Sequence, residues 1–357
     1  MRFRFFFAWI PFFLGSFAAF ADDVVPATAY FPVLPFNAPD NTLPQLLPLA
    51  MNRPFGVEQS GVTRAIVVIH DASRDATATL GLMSALAGEQ NSSTIILAPQ
   101  FLLPSDIVRF SDFLPDRGQN FAAWQVFGWS SGDDSMSGSP KKRVSSFDAL
   151  DLLLMYLADK ATFPDLQNLV VAGFGEGGSF VQRFAAFSPA PDVLAQQKIS
   201  VRFVVAGATS FLYQTSARPL GGKKGFGLPD SKACPDVNAY PYGLDNLNPY
   251  ARRTGANAAK INYALRFITY LNAPLSKVSA PESKCAVLAQ GVNPEIRADN
   301  YRLYLNSLYG NVAQTTQTFA KTKDGPNNAV SLFGSACGMA ALFGDGKCSP
   351  SMSGIVR

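Results

Sequence analysis

Short apolar runs alternate along this chain with segments of helical spacing. Five runs rich in Val, Ile, Leu and Ala predict strands at residues 65–69, 94–98, 169–172, 201–206 and 265–271, and residues 317–321 are expected to form a sixth. Continuous apolar runs of this length are typical of strands buried on both faces of a parallel sheet. Residues 76–87 are helix-like, and residues 147–157 place apolar side chains at helical spacing behind the cap candidates Ser145 and Ser146. The alternation predicts an α/β fold with a mostly parallel central sheet and helices on both faces.

The first 21 residues have the layout of a secretory signal peptide. A short basic head with Arg2 and Arg4 precedes an apolar run over residues 5–20, and Ala19-Phe20-Ala21 has the small-x-small form of a cleavage site. The alternative is an uncleaved anchor, which the short run and Pro11 disfavour. We therefore expect an exported protein, periplasmic or secreted, with no membrane span after cleavage.

The remaining chain is expected to form one domain. Residues 22–61 are rich in proline and predict an extended lead-in, and residues 62–357 contain all the predicted strands. A stretch at about 211–255, rich in Gly, Pro, Asn and Tyr, is predicted to be a cover insertion. The 357 residues are 48% hydrophobic and 16% charged, which excludes a disordered protein.

Net charge argues against a nucleic-acid partner. The formal charge is +4, and removal of Arg2 and Arg4 with the signal peptide would leave about +2. The Lys and Arg residues form no long runs.

Four cysteines in an exported chain are expected to be paired. Of the three possible connectivities we favour Cys337 with Cys348 and Cys234 with Cys285. The alternative is four reduced, buried thiols. No C-x-x-C spacing indicates a metal or redox site.

A glycine-rich turn at residues 173–178, GFGEGG, lies between the run at 169–172 and a helix-like stretch at 179–184. This strand, turn and helix context is what the nucleophile elbow of a hydrolase requires. We call residues 173–178 the elbow. Gly175 stands where the nucleophile would be, and we expect it at positive φ with a helix beginning at Glu176.

Over residues 62–345 the chain resembles a secreted group within the α/β-hydrolase superfamily. The matching pieces, in order, are Val67-Val68-Ile69-His70, Arg74-Asp75-Ala76, Ala98-Pro99-Gln100-Phe101, Gly128-Trp129, Gly132-Asp133, Val171-Ala172-Gly173, Phe180-Val181-Gln182-Arg183, Phe203-Val204-Val205, Tyr242-Gly243-Leu244, Ala289-Gln290-Gly291 and Leu342-Phe343-Gly344. The resemblance implies a Ser-His-Asp hydrolase fold and no cofactor.

The same resemblance implies that the triad is degenerate. Gly175 replaces the serine of the elbow, Ser276 lies nearest the position of the acid, and Asn327 occupies the place of the histidine, give or take a residue. An asparagine amide cannot take a proton from a nucleophile. In the oxyanion loop, which includes Arg74, Asp71 follows His70 where the group has glycine.

Two residues of this region could be proposed as substitutes. His70, the one histidine of the chain, is interpreted as holding the oxyanion loop through backbone hydrogen bonds. Glu176 is interpreted as a solvated acid in the first turn of a helix. The other elbow residues, Gly173, Phe174 and Gly177, are expected to shape the turn.

These observations favour a non-catalytic binding or assembly protein with a small apolar or ester-like ligand or an unknown protein partner. The aromatic residues expected to cover its pocket, some of them packing onto the sheet instead, are Phe211, Tyr213, Phe226, Tyr240 and Tyr242. Three alternatives remain: an esterase-like hydrolase with a non-standard nucleophile, an exported scaffold without a small ligand, and a dinucleotide-binding protein. The last depends on G-x-G-x-x-G beginning at Gly173, but this turn lies mid-chain and the next strand ends without an acidic residue.

Overall fold

The computed structural model describes residues 27–39, 42–137, 142–220, 225–275, 282–322, 326–345 and 348. The predicted signal peptide and Ser276 lie outside these residues. The strands are β1 (Ala29–Val33), β2 (Gln45–Met51), β3 (Arg64–Ile69), β4 (Thr94–Pro99), β5 (Asn168–Phe174), β6 (Ser200–Ala206), β7 (Arg218–Pro219), β8 (Phe226–Gly227), β9 (Ile268–Asn272) and β10 (Gln317–Lys321). The helices are α1 (Ala76–Ala87), α2 (Pro104–Arg109), α3 (Ser146–Leu157), α4 (Glu176–Phe187), α5 (Ala190–Gln196), α6 (Pro249–Leu265), α7 (Cys285–Leu288), α8 (Pro294–Tyr309), α9 (Asn311–Thr316), α10 (Ala329–Phe333) and α11 (Ala336–Phe343). Short 3-10 turns cover Gly88–Ser93, Pro115–Gly118 and Trp129–Ser131.

Eight strands form the central sheet in the order β1-β2-β4-β3-β5-β6-β9-β10, and β7 pairs with β8 in a separate ribbon. From β4 to β10 the neighbouring strands are parallel, whereas β2 is antiparallel to both β1 and β4. The predicted mostly parallel sheet is confirmed. Because β3, β5, β6 and β9 are parallel neighbours, their carboxyl ends meet at one edge of the sheet, where ligands bind in open α/β folds.

Both faces of the sheet are covered. Ala65, Val67 and Ile69 of β3 belong to a core shared with α3, α4, α5, α6 and α8, whereas Ile66 and Val68 belong to a core shared with α1, α10 and α11. Alternate side chains of a strand point to opposite faces, so this continuous apolar run serves two cores.

The predicted lead-in at 22–61 differs from the structure, because two of the sheet strands, β1 and β2, lie within it. The prolines in these strands led to the prediction of an extended segment outside the sheet. Pro32 lies in the edge strand β1, and Pro48 lies outside the part of β2 that pairs with β4, which begins at Leu49. Proline is tolerated at such positions because no ladder hydrogen bond needs its missing N–H.

The predicted cover at 211–255 is also too long. Helix α6 begins at Pro249, capped by the Asn248 side chain, and passes through Gly255 at φ +77°. The other end of the stretch, at Phe211, is buried in the core.

Both favoured disulfides are confirmed. Cys234 of the cover is joined to Cys285 at the start of α7, and Cys337 of α11 is joined to Cys348. Within the described part of the chain, no helix combines the length and the apolar character needed to cross a membrane.

Candidate functional site

The elbow has the geometry expected from its sequence. Gly175 adopts φ +59° and ψ −118° between the end of β5 and the first residue of α4, Glu176. Its N–H donates to the carbonyl of Ala206 at 3.0 Å, which ties the turn to the end of β6. Positive φ of this kind favours glycine because an L side chain is strained there.

The neighbouring glycines allow α4 to approach the sheet closely. A Cβ atom at Gly177 would overlap the carbonyl oxygens of Ile69 and His70, and one at Gly178 would lie 2.7 Å from the carbonyl oxygen of Ala206. A Cβ atom at Gly173 would likewise overlap the Gly177 carbonyl, so Gly173 and Gly178 of the dinucleotide pattern serve backbone packing inside the domain.

The space above Gly175 is occupied by the side chain of Asp71. A Cβ atom at Gly175 would overlap Asp71 Oδ1 and would lie 2.6 Å from its Cγ. Oδ1 also accepts a hydrogen bond from the Glu176 N–H at 2.8 Å. Burial raises the pKa of Asp71, hydrogen bonds from the Glu176 and Ala72 N–H groups lower it, and the nearby Glu176 charge raises it. A carboxylate of the chain itself thus accepts from the amide that follows the nucleophile position.

His70 is fully engaged with backbone. The Phe101 N–H donates to His70 Nε2 at 3.0 Å, so Nε2 is unprotonated and Nδ1 donates to the Asp71 carbonyl at 2.9 Å. Burial is the main cause that lowers the pKa of His70 to about 4. The imidazole therefore holds the oxyanion loop against the start of the segment after β4, and neither ring nitrogen is available as a base.

Glu176 is not the solvated acid that the sequence suggested. The residue is 8% exposed, Oε1 accepts from the Ser130 hydroxyl at 2.5 Å and Oε2 accepts from the Thr209 hydroxyl at 2.6 Å. Arg183 Nη1 lies 3.7 Å from Oε1. A first-turn acid is exposed only when the helix begins at the surface, and α4 begins beneath the loops that carry Ser130 and Thr209.

An open cleft of about 1000 Å³ lies over the elbow. We call it the elbow cleft. Its polar lining residues include Asp133, Glu176, Arg183, Thr209 and Ser210, and its apolar lining residues include Leu103, Trp124, Val126, Phe127, Met136 and Tyr242. Sequence reasoning did not single out Arg183 and Asp133 as site residues. The available signal was an arginine about two turns into a helix that, apart from Glu176 and Gln182, consists of small and apolar residues.

Two solved structures superpose on most of this chain. LpqC, a poly(3-hydroxybutyrate) depolymerase from Bordetella parapertussis, matches with a TM-score of 0.54 and 14% identity over 85% of this chain and 88% of its own. Poly(aspartic acid) hydrolase-1 from Sphingomonas sp. KT-1 matches with a TM-score of 0.54 and 18% identity over 86% of this chain and 96% of its own. This protein has the α/β-hydrolase fold. No family model and no curated protein matches the sequence, so the likeness shows the fold alone.

In this α/β-hydrolase fold, Asn327 lies beside the elbow edge of the sheet. Its Oδ1 is buried without a hydrogen-bond partner among the described residues, and it would lie 2.8 Å from a Cβ atom at Gly207, directly after β6. Asn272 ends β9 and donates to the Glu295 carbonyl at 3.4 Å. Arg74 of the oxyanion loop forms a bidentate pair with Asp106, with both N···O distances at 2.9 Å.

The five aromatic residues predicted to cover the pocket have different environments. Phe211 stacks on Tyr301 of α8 with ring centroids 4.4 Å apart, and Tyr213 and Phe226 pack against Tyr304 of the same helix. The Tyr240 hydroxyl donates to the Ser131 carbonyl at 2.5 Å. Of the five, Tyr242 lines the elbow cleft, so the prediction of an aromatic cover is corrected for the others.

Asp151 of α3, outside the elbow, is a second buried titratable group. It accepts from the hydroxyls of Ser188 and Tyr250, each at 2.6 Å, and burial is the main cause that raises its pKa to about 7. Between pH about 4 and 7 the folded state keeps a proton that the unfolded state has released, so this group lowers stability as pH rises. His70 acts oppositely between pH about 4 and 6.5, because only the unfolded state binds its proton.

Asp151 and His70 therefore contribute opposite changes of the free energy of unfolding with pH, and we expect these contributions to cancel between pH about 4 and 6.5. Relative to the parent protein, Asp151→Asn should show a free energy of unfolding that rises with pH by up to about 1.4 kcal/mol per unit, and His70→Gln should show one that falls by a similar amount. Urea unfolding at several pH values measures both slopes. Parallel curves for parent and variants would contradict the titrations assigned to these residues.

Proposed function

We propose that this protein is an exported binding protein that uses the α/β-hydrolase fold without hydrolase activity. The observation that carries the proposal is the Asp71 carboxylate, which fills the space of a nucleophile side chain above Gly175 and accepts from the Glu176 N–H. That amide is a donor that an acyl-transfer enzyme needs for its oxyanion. A negative charge in the same place opposes formation of an oxyanion.

The proton chemistry supports the same conclusion. Hydrolysis through a nucleophile needs a group that takes a proton and later returns it. Both nitrogens of His70 are engaged with backbone, and Asn327 stands where the resemblance implies the base. The proposed binding function leaves the hydrogen bonds of His70 in place, whereas proton transfer by this residue would require one of them to break.

Binding is supported by the elbow cleft itself. Val126, Phe127 and Met136 line it with 57%, 51% and 46% of their surfaces exposed. Exposed apolar side chains around a concave site with a few polar groups are typical of ligand pockets. Export is supported by the N-terminal sequence and by the two disulfides.

We expect no turnover of 4-nitrophenyl acetate or butyrate above a heat-treated control between pH about 6 and 9. Labelling with a fluorophosphonate probe should also be absent, because Gly175 has no hydroxyl. Turnover that disappears in Asp71→Asn or Glu176→Gln but persists in Glu89→Gln, an exposed carboxylate after α1, would contradict the proposal.

One observation favours a second candidate, a hydrolase with a carboxylate nucleophile. Asp71 places a carboxylate at the elbow with one oxygen held by the Glu176 amide. Attack on an ester by the other oxygen would form an anhydride and break the bond to the alkoxide, which would take a proton from water and leave as the alcohol. Rapid quenching followed by intact mass measurement and peptide mapping tests this candidate: an acyl group on Asp71 supports it, and an unmodified chain excludes it.

A further inference from the structure

The lining of the elbow cleft carries more negative than positive charge. Asp133 and Glu176 line it together with Arg183, and Asp71 lies behind Glu176 at the elbow. Glu282 and Lys284, which also line the cleft, carry opposite charges. Burial raises the pKa values of Asp133 and Asp71, because little water is left to stabilise their charges.

Arg183 is turned toward the protein. Nη1 donates to the Ser130 carbonyl at 3.1 Å, Nη2 donates to the Ser210 hydroxyl at 2.7 Å, and Glu176 Oε1 lies 3.7 Å from Nη1. The residue is only 1% exposed. Nη1 and Nη2 are thus committed to internal partners, Nε is buried without a partner among the described residues, and a group so little exposed offers little to an anionic ligand.

Asp133 keeps acceptor capacity toward the cleft. Its Oδ1 accepts from Asn248 Nδ2 at 3.0 Å, and Arg183 contributes a favourable but smaller charge interaction. A carboxylate has about four lone-pair sites, so one amide donor leaves most of them available. A ligand cation would supply both the missing charge and the missing donors.

Much of the cleft lining is apolar. Val126, Phe127 and Met136 line it and are about half exposed, and Tyr242 of the cover and Val287 of α7 line it too. Lys284 already places its ammonium 4.5 Å from the centroid of Phe127, which shows that this ring accepts a cation on its face.

We propose that the elbow cleft binds a small amphiphilic cation, with an ammonium or guanidinium group against Asp133 and an apolar chain along Val126, Phe127 and Met136. The proposal rests on the binding function proposed above and names its ligand class. Apolar burial supplies affinity, and the carboxylates select the sign of the charged end.

Three probes of equal chain length test the charge preference: octylammonium, octanol and octanoate. Isothermal titration calorimetry on the mature protein, below the aggregation concentration of each probe, should give octylammonium about tenfold or more tighter binding than octanol, and octanoate weaker than both. Added salt should reduce the preference for octylammonium over octanol.

Variants separate the charged and the apolar contributions to binding. Asp133→Asn keeps the acceptor for Asn248 and should lose most of the preference for octylammonium over octanol. Phe127→Ala should weaken the binding of octylammonium and of octanol by a similar factor. Glu89→Gln, which removes an exposed charge at the other edge of the sheet, should change neither affinity. Phe127 is half exposed, so its truncation leaves the core intact.

The outcomes distinguish this proposal from the non-catalytic function. Tightest binding of octanoate, or equal binding of all three probes, would overturn the cation preference and leave a binding cleft. Binding of none of them would overturn the ligand class. Ester turnover in the activity assay would overturn the non-catalytic function whatever the probes do.

Discussion

Gly175→Ser should lower the free energy of unfolding by about 3 kcal/mol. Two costs combine: an L residue at φ +59° is strained, and its Cβ atom overlaps the Asp71 carboxylate. Asp71 cannot move without giving up the Glu176 amide. Urea unfolding measures the loss, and catalysis should remain absent because no base has been restored.

Two glycines serve as matched controls for this substitution. Gly88 and Gly310 adopt φ +50°, ψ −125° and φ +53°, ψ −126°, close to the angles of Gly175, but a Cβ atom at either position meets nothing within 4 Å. Gly88→Ser and Gly310→Ser should therefore lower the free energy of unfolding by the backbone strain alone, about 1 to 2 kcal/mol. Gly175→Ser in an Asp71→Gly background should cost a similar amount. An equal cost of Gly175→Ser with and without Asp71 would show that the carboxylate does not occupy the nucleophile's space.

Replacing Cys234 and Cys285 together with serine should lower the free energy of unfolding by about 4 kcal/mol. The disulfide spans 51 residues, so its loss frees a long loop in the unfolded chain. The buried cluster that it anchors is small, with Val237 and Ala286 as its other buried members, and supplies little to compensate. Replacing Cys337 and Cys348, separated by 11 residues, should cost about 3 kcal/mol.

Denaturant unfolding of the two serine pairs measures these losses, and ligand titration adds a second criterion. Lys284 and Val287 of the elbow cleft lie beside Cys285, so only the first pair should also weaken octylammonium binding. Unchanged stability of that pair, or weakened binding in the Cys337 and Cys348 pair instead, would contradict this role of the disulfide.

The sequence predicted those elements of the fold that depend mainly on residues close together in the chain. The buried strands and the helix at 76–87 follow from apolar runs and spacing, and the turn at Gly175 follows from glycines between a strand and a helix. Strands β1 and β2 were missed because their prolines indicate extended coil unless the edge position of β1 is known.

The site depended on contacts that sequence patterns do not encode. Asp71 reaches Gly175 because the ends of β3 and β5 are in register at Ile69 and Gly173, about a hundred positions apart in the chain. Glu176 is buried because the segments bearing Ser130 and Thr209 fold over it. The aromatic residues of the cover could not be assigned to cleft or core, because both environments favour the same side chains.

Helix α4 is buried along its whole length, from Glu176 to Phe187. Its backbone packs directly on β3 and β6 through Gly177 and Gly178, whereas the part of the cover around Cys234 and Val237 is held by a small cluster and one disulfide. We therefore expect local opening to cost less around Cys234 and Val237 than at the elbow. Glu176 and Arg183 of the elbow cleft lie on α4, whereas Lys284 and Val287 adjoin the Cys234–Cys285 disulfide, so a ligand is expected to meet fixed charges beside a wall that adapts to its shape.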